Sequence, residues 1–107
     1  LGAIPLVTAV GLRTGIPFLL VRKKAKEYGT KKVVEGLYQE GQNVVLIEDV
    51  LTTGGQAIAA ADSLREIGLN VLKLVCVIDR EEGAREAVEQ AGYMFDPLLT
   101  RTMMAIG

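Results

Sequence analysis

The sequence is most restricted by the side chains that it lacks. It contains no histidine, and Cys76 is its single cysteine. A histidine-dependent catalytic triad, a histidine-rich metal site, an intrachain disulfide and a cysteine zinc cluster are therefore excluded for this chain. Cys76 lies in the apolar stretch 71–79, where we expect a small buried hydrophobe. Any chemistry must come from carboxylates, lysines, arginines, hydroxyls, backbone amides or a weakly held hard cation.

A strong net charge and a long apolar run are also absent. The 107 residues carry 12 basic and 13 acidic side chains, for a net charge of -1, which argues against a general nucleic-acid or membrane-surface binder. No apolar run approaches the ~20 residues that a membrane span requires. We therefore expect a cytoplasmic protein with no nucleic-acid or membrane partner. The length fits one domain over residues 1–107.

The apolar pattern predicts an α/β fold. Helical periodicity and glycine stops predict helices over 3–14, 57–67 and 82–91. Continuous or alternating apolar runs predict strands over 17–21, 33–38, 44–48, 71–79 and 93–99. Strands that alternate with helices imply a mainly parallel sheet flanked by helices, a Rossmann-like arrangement.

Two details refine this prediction. Pro97 cannot serve a central ladder, so the strand 93–99 is expected at the edge of the sheet. The chain opens almost directly on a helix, whereas a doubly wound fold should supply a strand before it. We therefore expect the fold to be incomplete at its N-terminus.

Paired acids and a Thr/Gly turn follow the most apolar strand, in the segment VVLIEDVLTTGGQA (44–57). Ligands of parallel sheets bind at the carboxyl ends of the strands. The glycines let the backbone wrap around an anion, and the following helix N-terminus attracts a phosphate. Because Glu48 and Asp49 would repel that phosphate, they are better suited to neighbouring hydroxyls. A diol and a phosphate on one loop together indicate a ribose 5-phosphate.

This segment resembles the phosphoribosyl pyrophosphate motif of the type I phosphoribosyltransferases. The stretches VRKKAKEYGT (21–30), VVEG (33–36) and VIDREEG (77–83) are similar to the orotate phosphoribosyltransferases of that family. The resemblance extends over essentially the whole chain. It implies a type I phosphoribosyltransferase core and transfer of ribose 5-phosphate from phosphoribosyl pyrophosphate to orotate. It also implies Mg²⁺ held mainly by the substrate, with no metal site of the protein itself, and a homodimer that shares the basic loop.

The resemblance also assigns roles to residues. Glu48 and Asp49 would hold the ribose hydroxyls, and Lys26 would join them in catalysis. Thr52 and Arg80 would contact orotate. The residues that would bind phosphoribosyl pyrophosphate are Arg22, Lys23, Lys26, Tyr28, Glu48, Asp49, Val50, Leu51, Thr52, Thr53, Gly54, Gly55 and Gln56.

The basic loop supports a leaving group with negative charge. Six of the 12 basic residues lie within 22–32, where they would stabilise departing pyrophosphate. Tyr28 stands where many family members have a histidine. Arg80 could instead be a surface residue paired with Glu81 or Glu82.

Two other functions keep the acid–Thr–Gly turn. A purine or uracil phosphoribosyltransferase would not need Arg80 or the basic loop. A regulatory domain that senses the sugar phosphate would bind it without releasing pyrophosphate, although a sensor has no leaving group to stabilise.

Overall fold

The computed structural model describes residues 3–21 and 34–104. In chain order the elements are α1 (Ile4–Thr14), β1 (Leu20–Val21), β2 (Val34–Glu35), β3 (Asn43–Leu51), α2 (Gly55–Glu66), β4 (Asn70–Asp79), α3 (Ala84–Gln90), β5 (Met94–Thr100) and α4 (Arg101–Met104).

The main sheet has three strands in the order β3-β4-β5. Both pairings are parallel, and α2 and α3 provide the crossovers that parallel strands require. The predicted parallel sheet with flanking helices is therefore confirmed in the described part of the chain. Strand β5 lies at an edge of this sheet, as Pro97 predicted. Strands β1 and β2 form a separate antiparallel pair.

The core lies between the central strand and the two crossover helices. Leu74 and Cys76 of β4 have no exposed surface, and small residues such as Ala61 and Ala84 face them from α2 and α3. The predicted burial of Cys76 is thus confirmed. Burial raises the pKa of its thiol to about 11, and the nearby carboxylates Asp79 and Glu48 add to this effect.

Several elements differ from the sequence prediction, and the predicted strand 33–38 is reduced, among the described residues, to Val34–Glu35. Strand β3 does not stop at residue 48, so Val50 and Leu51 are strand residues and not part of the turn. The predicted strand 17–21 shrinks to Leu20–Val21, and the side chain of Phe18 is 40% exposed. Helix α4 was not predicted at all, because four residues are too few to show a period.

No helix within residues 3–21 and 34–104 is both long enough and apolar enough to cross a membrane.

Candidate functional site

The candidate site lies at the carboxyl ends of β3 and β4. Leu51 is opposite Asp79 in the parallel register, and the backbone N–H of Arg80 donates to the carbonyl of Leu51 over 3.0 Å. Thr52 and Arg80, which follow these two strands, therefore leave the sheet from adjacent points. This is the edge at which ligands of parallel sheets bind.

The turn from β3 into α2 depends on Gly54. Its φ of 86° lies in the left-handed region, and a Cβ built there would come within 3.3 Å of the Cα of Ala84. The turn is thus packed closely against the start of α3. Glycine is needed both for the backbone angle and for this approach.

The N-terminus of α2 offers amide groups to an anion. Gly54 is its N-cap, and no side chain among the described residues caps the helix. The first turn also contains no acidic residue. Because the first amides of a helix have no partner within it, and the helix dipole is positive there, this end suits a phosphate.

The two acids, Glu48 and Asp49, lie near the carboxyl end of β3, shortly before its last residue, Leu51. Both are half-buried, and Asp49 Oδ1 accepts a hydrogen bond of 2.7 Å from the N–H of Val50. Consecutive strand residues point to opposite faces of a sheet. Glu48, which is opposite the buried Cys76, and Asp49 therefore lie on the two sides of the strand. The sequence prediction did not include this separation, because it ended the strand at residue 48.

Arg80 is an exposed residue that forms one ion pair within residues 3–21 and 34–104. Its side chain is 56% exposed, and its Nε lies 3.2 Å from Glu82 Oε2. Of the two acids that the sequence offered, Glu82 is therefore the ion-pair partner. The pair engages one of the nitrogens of a guanidinium that has five N–H donors, so the planar terminal part can still bind a carboxylate.

The connection that carries Arg80 has a feature that the sequence analysis missed. Asp79 is only 3% exposed, and its Oδ1 accepts a hydrogen bond of 2.9 Å from the N–H of Glu81. Glu81 has a φ of 59°, the one positive φ among the described non-glycine residues. Its Oε1 accepts a hydrogen bond of 2.5 Å from the N–H of Thr102. A contact between residues so far apart leaves no local sequence signal.

Part of the predicted site lies outside the described residues. This applies to Arg22, Lys23, Lys26 and Tyr28. Of the other predicted residues, Thr52 is half-buried, while Thr53, Gly55 and Gln56 are exposed around the α2 N-terminus. The structure thus brings together the turn, the two acids and the start of the Arg80 connection.

The chain is similar in sequence to known phosphoribosyl transferases. The family described as "Phosphoribosyl transferase domain" matches residues 2–96. An orotate phosphoribosyltransferase of Pyrococcus horikoshii is 54% identical over 99 residues, which are 92% of this chain and 53% of the relative. The chain spans about half the length of the curated relatives that it matches.

Solved structures show the same likeness. Orotate phosphoribosyltransferase from Aeropyrum pernix superimposes with a TM-score of 0.82 at 28% identity, covering 97% of this chain and 57% of that one. The Mycobacterium tuberculosis enzyme in complex with 5-phospho-alpha-D-ribosyl 1-diphosphate superimposes with a TM-score of 0.64 at 32% identity, covering 69% of this chain and 46% of that one.

Proposed function

Because the chain belongs to the phosphoribosyl transferase family, we propose that it transfers ribose 5-phosphate from phosphoribosyl pyrophosphate to orotate. The products would be orotidine 5′-monophosphate and pyrophosphate, a step in the synthesis of UMP. One observation carries the proposal: the N–H of Arg80 is bonded to Leu51 at 3.0 Å. This bond brings the proposed orotate contact beside the Thr/Gly turn.

The turn and the first residues of α2 would bind the 5-phosphate. The amides of Gly55 and Gln56 belong to a helix end without a side-chain cap, and Thr52 and Thr53 add hydroxyl donors. Val50 and Leu51 lie within β3. We therefore place their contribution in the strand that leads to the phosphate, and not in the loop around it.

Glu48 and Asp49 would accept hydrogen bonds from the two ribose hydroxyls. They lie on opposite sides of β3, three and two residues before its last residue, Leu51. We place the sugar beside this carboxyl end of the strand, because the 5-phosphate then lies next to the N-terminus of α2.

Arg80 and Thr52 would hold orotate. A guanidinium fork matches a planar carboxylate, and the ring nitrogen of orotate is already acidic, so no histidine is needed as a base. That nitrogen loses its proton to solvent and bonds to the anomeric carbon as the bond to pyrophosphate breaks, and the negative charge moves to the leaving group. Lys26, with Arg22 and Lys23, would stabilise this charge and exclude water.

Mg²⁺ is the metal that fits this reaction. Mg²⁺ keeps several waters and binds substrate phosphates, so the reaction requires no metal cage of the protein. We propose that the metal is carried by the pyrophosphate and ribose oxygens of the substrate. When bound, Mg²⁺ would neutralise charge on the pyrophosphate.

The expected assembly and location also belong to this proposal. A homodimer would let the basic segment 22–32 serve the neighbouring subunit's site, as the family resemblance implies. Sedimentation of the purified chain tests the dimer. Fractionation of cells that express it tests the predicted cytoplasmic location.

The decisive experiment is an assay of the chain with orotate, phosphoribosyl pyrophosphate and Mg²⁺, in which the absorbance of orotate is followed. We expect orotate to disappear in step with pyrophosphate release. The Pyrococcus horikoshii relative serves as the positive control, and the Asp49→Asn variant as the negative one. If the chain does not consume orotate while the control does, the result contradicts the proposal.

The same assay separates the two alternatives. Turnover with adenine, guanine or uracil in place of orotate would identify a different phosphoribosyltransferase. Tight binding of phosphoribosyl pyrophosphate, measured by calorimetry without any pyrophosphate release, would identify a sensing domain.

A further inference from the structure

The connection from β4 to α3 has an unusual backbone at Glu81. Its φ of 59° is one that side-chain-bearing residues rarely adopt. Such a conformation persists only where the surrounding structure holds it. At Glu81 two contacts do so, one through its backbone and one through its side chain.

The backbone contact fixes Glu81 to the end of the sheet. Its N–H donates to Asp79 Oδ1 over 2.9 Å, and the carboxylate of Asp79 is buried at the last position of β4. This is a turn closed by an aspartate side chain two residues earlier. Arg80, between these two residues, is itself tied to Leu51 through its N–H.

The side-chain contact joins the same residue to the other end of the described chain. Glu81 Oε1 accepts the N–H of Thr102 over 2.5 Å, at the start of α4. That N–H belongs to the first turn of a helix, where it has no partner within the helix. Hydrogen bonding with Thr102 also lowers the pKa of Glu81.

We propose that Glu81 is a positioning residue that joins helix α4 to the Arg80 connection and thereby sets the place of the Arg80 guanidinium. The ligand that the Arg80 guanidinium would bind is a planar carboxylate, so the role of Glu81 in ligand binding rests on the proposed function. Glu81 itself would touch no substrate. Its effect passes through the backbone of Arg80, which is held on one side by Leu51 and on the other by Glu81.

Three substitutions at position 81 distinguish the effect of the Glu81 side chain from the effect of its backbone conformation. Glu81→Gln keeps an oxygen acceptor for Thr102, and Glu81→Gly removes the acceptor but adopts the positive φ readily. Glu81→Ala removes the acceptor and keeps a residue that, like glutamate, disfavours this φ. Thr102→Pro removes the donor instead, at a position whose N–H has no partner within the helix. Glu66→Ala, at an exposed position at the end of α2, is the matched control.

Amide hydrogen exchange tests the link without any ligand. In Glu81→Ala, Glu81→Gly and Thr102→Pro, we expect exchange at the Arg80 amide to accelerate roughly tenfold, while the Leu74 amide keeps its rate. Glu81→Gln should stay near the wild type. Unchanged exchange at Arg80 in Glu81→Ala, or wild-type behaviour of Glu81→Gly, would overturn the proposal.

Steady-state kinetics test what the link does for the ligand. We expect the KM for orotate to rise roughly fivefold to twentyfold in Glu81→Ala and Thr102→Pro, with the KM for phosphoribosyl pyrophosphate within about twofold. The double variant should be no worse than either single one, because both remove the same bond. A KM for orotate that stays constant in both variants refutes the positioning role.

The two failures are distinguishable. A wild-type chain that neither binds nor converts orotate refutes the proposed function. It also refutes the proposal that Glu81 positions the Arg80 guanidinium for a carboxylate ligand. The exchange measurement still decides the link between α4 and Arg80, since it needs no substrate.

Discussion

Arg80 is followed by two acids, Glu81 and Glu82, that act on it in different ways. Glu82 pairs with its Nε at 3.2 Å, whereas Glu81 holds its backbone through bonds to Asp79 and Thr102. The exposed ion pair contributes little to stability. Its more useful effect is orientation, because a guanidinium held at Nε presents its two terminal nitrogens outward as a fork.

This geometry predicts that arginine cannot be replaced by lysine at position 80. In Arg80→Lys we expect the KM for orotate to rise roughly 10- to 100-fold, since a charged hydrogen bond of about 1.5–3 kcal/mol and its bidentate geometry are lost. The KM for phosphoribosyl pyrophosphate should change by about twofold or less. Initial rates over a grid of both substrates provide the measurement.

The matched control is Arg85→Lys, in an exposed arginine of α3 whose guanidinium pairs with Glu89 at 3.8 Å. It should leave both KM values near those of the wild type. Equal effects of the two substitutions would mean that Arg80 is a surface residue and not an orotate contact.

Residue identity predicted part of the candidate site, and the backbone conformation at the rest of it could not be predicted from the sequence. Asp49 and Gly54 stand out because their types and spacing are typical of a sugar-phosphate site. The left-handed angle of Glu81 could not be predicted, because glutamate has no preference for it and its partner Thr102 lies far along the chain.

At the scale of elements, the site depends on how closely α2 and α3 approach each other. Gly54 at the N-cap of α2 lies against Ala84, the first residue of α3. Both positions are buried. A side chain at position 54 would therefore separate two helices and tilt the amides that face the proposed phosphate site.

We predict that Gly54→Ala destabilises the chain and weakens ligand binding together. The strained φ and the 3.3 Å approach to Ala84 should lower the free energy of unfolding by roughly 1–3 kcal/mol. The affinity for phosphoribosyl pyrophosphate should fall by about tenfold or more. Urea titration and isothermal calorimetry measure the two effects.

Gly55→Ala is the natural comparison, because a Cβ there meets open space and the residue is already helical. Its free energy of unfolding should be equal to that of the wild type or higher by up to about 1 kcal/mol. A Gly55→Ala variant as unstable as Gly54→Ala would show that close packing at position 54 is not the cause.

Element boundaries were harder to predict than element types. The acids after residue 47 interrupt an apolar run, so the sequence indicated a turn where β3 in fact continues to Leu51. Pairing with β4 keeps these residues in the strand, as Val50 opposite Ile78 shows. The opposite error occurred at 17–21, where the strand is limited to Leu20–Val21 and the apolar Phe18 remains exposed.

At the scale of the whole molecule, two buried weak acids limit stability at high pH. Burial raises the pKa of Cys76 to about 11 from 9.0. Burial, together with a 2.6 Å bond from its hydroxyl to Asp62, raises the pKa of Tyr93 to about 12 from 10.0. Both groups hold their protons more tightly in the folded state than in the unfolded one.

Their contribution to stability is therefore complete below about pH 9 and lost as the pH rises to about 12. We predict that the urea midpoint falls over this range, and that the fall is shallower in Tyr93→Phe and in Cys76→Ala. The slope is compared, and not the absolute midpoint, because both substitutions also change packing. Slopes in both variants equal to that of the wild type would contradict the prediction.

The parallel order of the main sheet has a consequence for how the chain folds. Its pairings join residues as distant in sequence as Asn43 and Asn70, with a helix between them, so no local hairpin can nucleate the sheet. Distant pairings are slow to form, since the intervening chain must be ordered first. The carboxyl ends of β3 and β4 come together only after the α2 crossover has closed. The proposed phosphate site therefore exists only in a chain that has already formed its distant pairing of β3 with β4.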